Sequence, residues 1–154
     1  MRIFIDLDGV LADFDGHYAR HYGAVPDRST REPAAFWKNI AEHPGGFFRR
    51  MPLMPDARVL WDAVKHLNPV ILTGVPISVY DAAAQKRAWV AEHFPGTRVI
   101  TTTSREKRFY GRPGDVLVDD WAKYRGLWES MGGTFVLHVS AENSLRELEK
   151  LVIK

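Results

Sequence analysis

The sequence predicts an α/β fold, a doubly wound and mainly parallel sheet with a small helical insertion after the first strand. Three observations carry that reading. Short apolar runs at 2–5, 70–72, 98–101, 115–118 and 134–138 read as strands buried on both faces. Stretches with apolar residues at helical spacing separate the later runs, and such β-α-β crossovers imply parallel pairing. The first run stops at Asp6-Leu7-Asp8-Gly9, which places two carboxylates at the carboxyl end of a strand, where open α/β sheets bind their ligands.

The bulk composition narrows the class. A chain of 154 residues, 45% hydrophobic and 12% aromatic, suits one domain with a sizeable core. We expect that core at 1–13 and 56–154, with the insertion at about 14–55. Lys and Arg number 21 against 19 Asp and Glu, a net charge of +2. That balance suits an anionic substrate without the basic tracts of an extended nucleic-acid surface. The absence of cysteine excludes disulfides, zinc thiolate sites and thiol nucleophiles. No run has the length to span a bilayer, and the charged start lacks a signal-peptide apolar region. The expectation is a soluble, cytoplasmic protein.

In chain order, Leu11, Phe14, Tyr18 and Tyr22 share one side of a helix expected over 10–22, which Gly23 ends. The stretch 24–55 is broken by proline and glycine, with a short helix over 33–42 that has Pro33 at its first turn and presents Phe36, Trp37 and Ile40 together. A more regular helix over 56–67 carries Val59, Leu60, Ala63, Val64 and Leu67 on an expected packing face, and Asn68-Pro69 stops it. The second strand ends in Thr73-Gly74, and a helix over 78–94 returns the chain across the sheet. After the third strand, 104–114 reads as a charged loop. The fourth strand ends in Asp119-Asp120, followed by a helix over 123–131, the fifth strand, and a last helix over 141–151 with Leu145, Leu148 and Leu151 on one side.

Three strand ends therefore carry polar groups: Asp6 and Asp8, Thr73, and Asp119 with Asp120. Lys107 lies on the loop between the last two. Carboxylates so close together stay ionised when a hard divalent cation, most simply Mg2+, joins them. Asp13 reads instead as a helix cap. A nucleophile, an acid/base, a hydroxyl, a cation and metal-binding carboxylates are what displacement at phosphorus requires. The six histidines show no ligand spacing. His17 and His21 are four apart on one helix, but no third ligand is evident, and packed or exposed residues are the expectation.

Asp6-x-Asp8-Gly9-Val10, strand-terminal Thr73, Lys107 and Asp119-Asp120, in this order over nearly the whole chain, resemble the haloacid dehalogenase (HAD) superfamily of phosphohydrolases. More narrowly, Asp8-Gly-Val-Leu-Ala-Asp-Phe14, Gly46-Phe-Phe48 and Lys86-Arg-Ala-Trp-Val90 are similar to segments of the 5′(3′)-deoxyribonucleotidases. The resemblance implies a Rossmann-like core with a helical cap and a Mg2+-dependent phosphomonoesterase for (deoxy)nucleoside monophosphates. In it Asp6 would be the nucleophile that becomes an aspartyl-phosphate, and Asp8 the acid/base. Asp6, the Asp8 carbonyl and the Asp119/Asp120 pair would hold the metal. Thr73, Gly74 and Lys107 would bind phosphate, with Arg105 and Arg108 as alternatives to Lys107. Phe14, Phe36 and Trp37 would hold the base, and Phe47 and Phe48 would form cap core. Thr73 is followed by glycine where that family carries serine, and a lysine expected just beyond is missing from 75–78. Other small phosphorylated metabolites, a nucleic-acid terminal phosphate, a nucleotide-binding module without turnover, and a partner-binding protein using the cap aromatics stay open as alternatives.

Overall fold

Alternation with a period of two divides the strands between the faces of one sheet. The strands are β1 (Ile3–Ile5), β2 (Val70–Gly74), β3 (Val99–Thr102), β4 (Val116–Asp119) and β5 (Thr134–Leu137). Ile3, Ile5, Ile71, Val116, Val118 and Val136 enter one apolar cluster, while Phe4, Leu72, Leu117 and Phe135 enter a second. The computed structural model describes residues 1–27 and 34–152; Pro33, expected at the first turn of the second helix, lies outside them. The strand order is β3-β2-β1-β4-β5 and every pairing is parallel. The chain moves outward from β1 through β2 to β3 and then crosses to β4 on the other side. The carboxyl ends of β1 and β4 thus flank the switch point, where the loops diverge and leave a crevice.

The larger cluster is covered by α1 (Phe14–Tyr22), α2 (Ala34–Glu42), α3 (Ala57–Val64), α4 (Ala82–His93) and α6 (Ala141–Val152), with α3 packed on α6. The smaller is closed by Trp128 of α5 (Arg125–Ser130), which meets Phe4 edge-on at 5.7 Å. No helix of the described residues is long and apolar enough to cross a membrane.

The helix expected over 56–67 ends as α3 at Val64 and tightens into a 3₁₀ turn over Lys65–Leu67; Val59 and Ala63 face outward, and Trp61 is buried with Leu60 and Val64 instead. Other boundaries also differ from the sequence expectation, each for a local reason. The first helix starts at Phe14 rather than residue 10, because the Leu7 carbonyl takes the amides of Leu11 and Ala12, both at 2.9 Å, in a tight coil. Asp13 then caps the helix by accepting from the Gly16 amide at 3.0 Å. The returning helix starts at Ala82 because turns after Pro76 take up 78–81. The expected loop at 104–114 winds into a 3₁₀ helix over Ser104–Tyr110. The helix expected over 123–131 divides into a 3₁₀ turn, Ala122–Tyr124, and α5.

The stretch 14–55 leaves and re-enters beside the same loop. The Asp13 amide donates to the Pro52 carbonyl, and the Met54 amide to the Leu11 carbonyl, each at 2.8 Å. Between these ties Phe14, Tyr18, Phe36, Ile40, Phe47, Phe48 and Met51 bury themselves in the same cluster as the sheet.

Candidate active site

Asp6 extends β1 by one residue, its amide still bonded to the Val118 carbonyl at 2.9 Å, and Asp119 ends β4 beside it. Pairing of these two strands therefore forces two carboxylates together at the crevice. Lys107, brought in by the 3₁₀ turn, lies between them, with Nζ 3.1 Å from Asp6 Oδ1 and 2.9 Å from Asp119 Oδ2. Asp6 Oδ1 also accepts from the Leu7 amide at 2.8 Å, and Asp119 Oδ1 from the Trp121 amide at 3.0 Å. Gly9, at φ +80°, takes a turn that a side chain resists, and a Cβ there would collide with the Asp120 carboxylate.

Asp8 faces a second ammonium. Lys86 Nζ donates to Asp8 Oδ2 at 2.9 Å, to Thr73 Oγ1 at 3.0 Å and to the Gly74 carbonyl at 2.7 Å, and lies 4.7 Å from the centre of the Phe48 ring. Asp8 Oδ1 is buried with no hydrogen-bond partner. Lys86 was missed as a site residue by the sequence reading, although its segment was noted. A signal existed: Ala82, Lys86, Trp89 and Val90 are the buried face of α4, and a lysine inside an apolar stripe needs a buried partner.

The charges do not balance among themselves. Burial, and then the charge of Asp119, push the Asp6 carboxyl well above the ordinary carboxylate range, with Lys107 only partly offsetting them. Burial opposes the charge on Lys107, but Asp6 and Asp119 outweigh it and hold the ammonium. Asp119 is likewise raised by burial, yet ends below its usual value because Lys107 and the Trp121 amide stabilise its charge. Carboxylate oxygens of Asp6, Asp119 and Asp120 all lie within 4.8 Å of one another. Three hard oxygen donors at this spacing, with an uncompensated penalty on Asp6, fit a divalent cation. The Asp8 carboxylate stands outside that group, turned toward Lys86.

These groups floor a cavity of about 360 Å³. Asp6, Asp8, Gly74, Lys107, Asp119 and Asp120 line it, with Phe14, Trp37 and Phe48 on its apolar wall and Trp121, Lys123, Tyr124 and Arg105 elsewhere on its surface. Two expected members are placed differently. Thr73 is fully buried and absent from the cavity wall, because its hydroxyl serves Lys86. Phe36 is also absent from the wall. It stacks on Tyr18 at 4.7 Å and on Phe14 at 6.1 Å, so its ring serves the core while neighbouring Trp37 takes the cavity. Phe47 is core as expected, but Phe48, read as core with it, also lines the cavity. Arg105 lines the cavity too, whereas Arg108 does not. At Gly74, a Cβ would collide with the Ser104 hydroxyl, which occupies that space from the neighbouring turn.

A family model described as 5′ nucleotidase, deoxy (pyrimidine), cytosolic type C protein matches residues 1–147. The mitochondrial 5′(3′)-deoxyribonucleotidase of Mus musculus is 27% identical over 176 aligned positions, covering 97% of this chain and 77% of that protein. The cytosolic-type 5′(3′)-deoxyribonucleotidase of Homo sapiens is 24% identical, covering 93% and 82%. Among solved structures, a hydrolase from Streptococcus pneumoniae superposes with TM-score 0.51 at 15% identity, covering 97% of both chains. An L-2-haloacid dehalogenase from Xanthobacter autotrophicus gives 0.50 at 16% identity, covering 99% of this chain and 84% of the other. At such identities the structural likeness speaks for the fold.

Proposed function

The chain belongs to the 5′ nucleotidase, deoxy (pyrimidine), cytosolic type C family, a family of phosphoric monoester hydrolases, and from that premise we propose a Mg2+-dependent phosphatase for deoxynucleoside monophosphates that works through an aspartyl-phosphate. The observation that carries this reading is the set of four carboxylates and two buried lysines at the switch point, beneath an aromatic-walled cavity.

In this reading Asp6 Oδ1 is held by Leu7 and Lys107, so Oδ2 attacks phosphorus. The new P–O bond forms as the ester P–O bond breaks, and a proton on Asp8 passes to the departing alkoxide. The oxygen for that transfer is Asp8 Oδ1, since Oδ2 is taken by Lys86. A water then gives its proton to Asp8 and attacks the phosphoryl group, releasing phosphate and restoring Asp6. Lys107 offsets charge on Asp6 and on the transferring group, and the Gly74 amide, on the cavity lining, would bind phosphoryl oxygens. Asp6, Asp119 and Asp120, with the Asp8 carbonyl, would hold Mg2+, which when bound neutralises phosphoryl charge as a Lewis acid.

The segment 14–55 serves as a cap, and Trp37, Phe14 and Phe48 receive the base, where stacking on one ring is worth roughly 1–3 kcal/mol. A cytoplasmic location agrees with this reading. The test is phosphate release from 5′- and 3′-deoxynucleotides, ribonucleotides, sugar phosphates and an aryl phosphate, with Mg2+ and with chelator. We expect Mg2+-dependent release, strongest on deoxynucleotides. Trp37→Ala should raise KM for these about tenfold and leave the aryl phosphate nearly unchanged. Release strongest on a sugar phosphate would remove the base site, and no release from any compound would remove the phosphatase reading.

A further inference from the structure

Outside the cavity of the acidic cluster, in a separate groove, three imidazoles meet. His17 and His21 lie one turn apart on α1, and His43 follows the last residue of α2. Their ring centres are 5.0 Å apart for His17 and His21, 5.3 Å for His17 and His43, and 4.6 Å for His21 and His43. One ring nitrogen from each lies within 4.8 Å of the others.

We propose that His17, His21 and His43 form a binding site for a late first-row divalent ion such as Zn2+, separate from the acidic cluster and fastening α1 to the end of α2. Three features support it. His17 is 4% exposed, yet its Nε2 has no hydrogen-bond partner, a buried nitrogen left unused in a ring that packs against His21 and His43. The His17 ring packs on Phe47 at 4.6 Å. His43 is held through one ring nitrogen, its Nδ1 lying 2.6 Å from the Tyr22 hydroxyl, which makes Nε2 its candidate ligand atom. Ligating histidines are commonly held by such a partner on the second ring nitrogen.

The third feature is size. A tetrahedral ion with bonds of about 2.1 Å sets its nitrogens about 3.4 Å apart. The ring nitrogens lie within 4.8 Å of one another, and the exposed His21 ring has room to turn toward the other two. Imidazole donors select zinc and its neighbours over Mg2+, the ion suited to the carboxylates. The fourth coordination position opens on a groove lined by Asp13, Arg20 and Arg50, with Arg20 3.8 Å from the Asp13 carboxylate.

The test is titration of the full chain with Zn2+ in excess Mg2+, together with the visible spectrum of the Co2+-loaded protein. We expect one Zn2+ per chain and the intense ligand-field bands of a low-coordinate, nitrogen-ligated Co2+. His21→Ala changes an exposed residue; it should abolish those bands and weaken Zn2+ binding by more than about tenfold, the loss seen when even an outer partner of a ligating histidine is removed. His43→Gln should do the same, and if it does not fold, His21→Ala decides alone. Unchanged Zn2+ affinity in His21→Ala, or only the weak bands of octahedral Co2+ in the parent chain, would overturn the proposal.

Discussion

The two ends of β1 and β4 each bring acids and bases together, and they resolve the charge in opposite ways. At the amino ends Arg2 grips Asp115 through two nitrogens, at 2.7 and 3.1 Å, while the amides of Arg2 and Arg112 each donate to the same carboxylate at 2.8 Å. Burial pushes Asp115 up, but those donors outweigh it and hold the carboxyl below its usual range. At the carboxyl ends, roughly 13 Å away along the strands, Lys107 lies between Asp6 and Asp119, and Lys86 faces Asp8, yet Asp6 is still driven upward. The first arrangement is complete within the protein. The second leaves the burial penalty on Asp6 only partly offset, the condition that a bound divalent cation would relieve in the proposed function.

This contrast makes predictions that descend in size. Asp6→Asn should lower kcat by at least about 10³-fold, as loss of a nucleophile does, without lowering Tm, because it removes a buried charge that lacks full compensation. Phosphate release and a thermal melt measure both; a large fall in Tm would mean that the carboxyl end is as structural as the amino end. Lys86→Met keeps the stem against Phe48 but removes the ammonium from Asp8. It should cost about 10²-fold in kcat with a smaller change in KM, the scale of a disturbed acid/base.

At the opposite end, Asp115→Ala should leave kcat per folded molecule unchanged and destabilise by about 2 kcal/mol, because Arg2 and two amides lose a charged acceptor. That corresponds to a fall of roughly 4–8 °C in Tm for a chain of this size. The same pair sets a small pH effect. The folded-state pKa of Asp115 lies below its ordinary value of 3.8, so its contribution is fully present above pH 3.8 and disappears as pH falls through the folded value. Asp115→Asn should therefore flatten the acid limb of stability in that window. An unchanged acid limb would assign the sensitivity to other carboxylates.

Much of this was legible along the chain. Asp6 and Asp119 could be placed because each directly ends an apolar strand, and parallel pairing leaves little freedom in where strand ends go. Asp13 was readable as a cap because capping is local. Position between two strand ends did not separate Lys107 from Arg105 or Arg108; the family resemblance pointed to Lys107, and the 3₁₀ turn sets it between Asp6 and Asp119. Thr73 was misplaced: it ends the right strand, but a threonine hydroxyl can face a buried lysine as readily as a ligand. Phe36 and Trp37 are adjacent on one helix, and helical spacing alone did not tell which of them would turn to the cavity and which to Tyr18 and Phe14.

By itself the sequence determined the strand pattern, the parallel α/β class and the acidic character of one sheet edge, since these follow from burial, chain direction and charge within short windows. Only the tertiary structure decided that Lys86 reaches Asp8 across 78 residues, that Phe48 lines the cavity, and that His43 joins His17 and His21. Each depends on the packing of one helix or turn against another. The direction of a side chain there is set by the volume its neighbours leave, which no local period along the chain encodes.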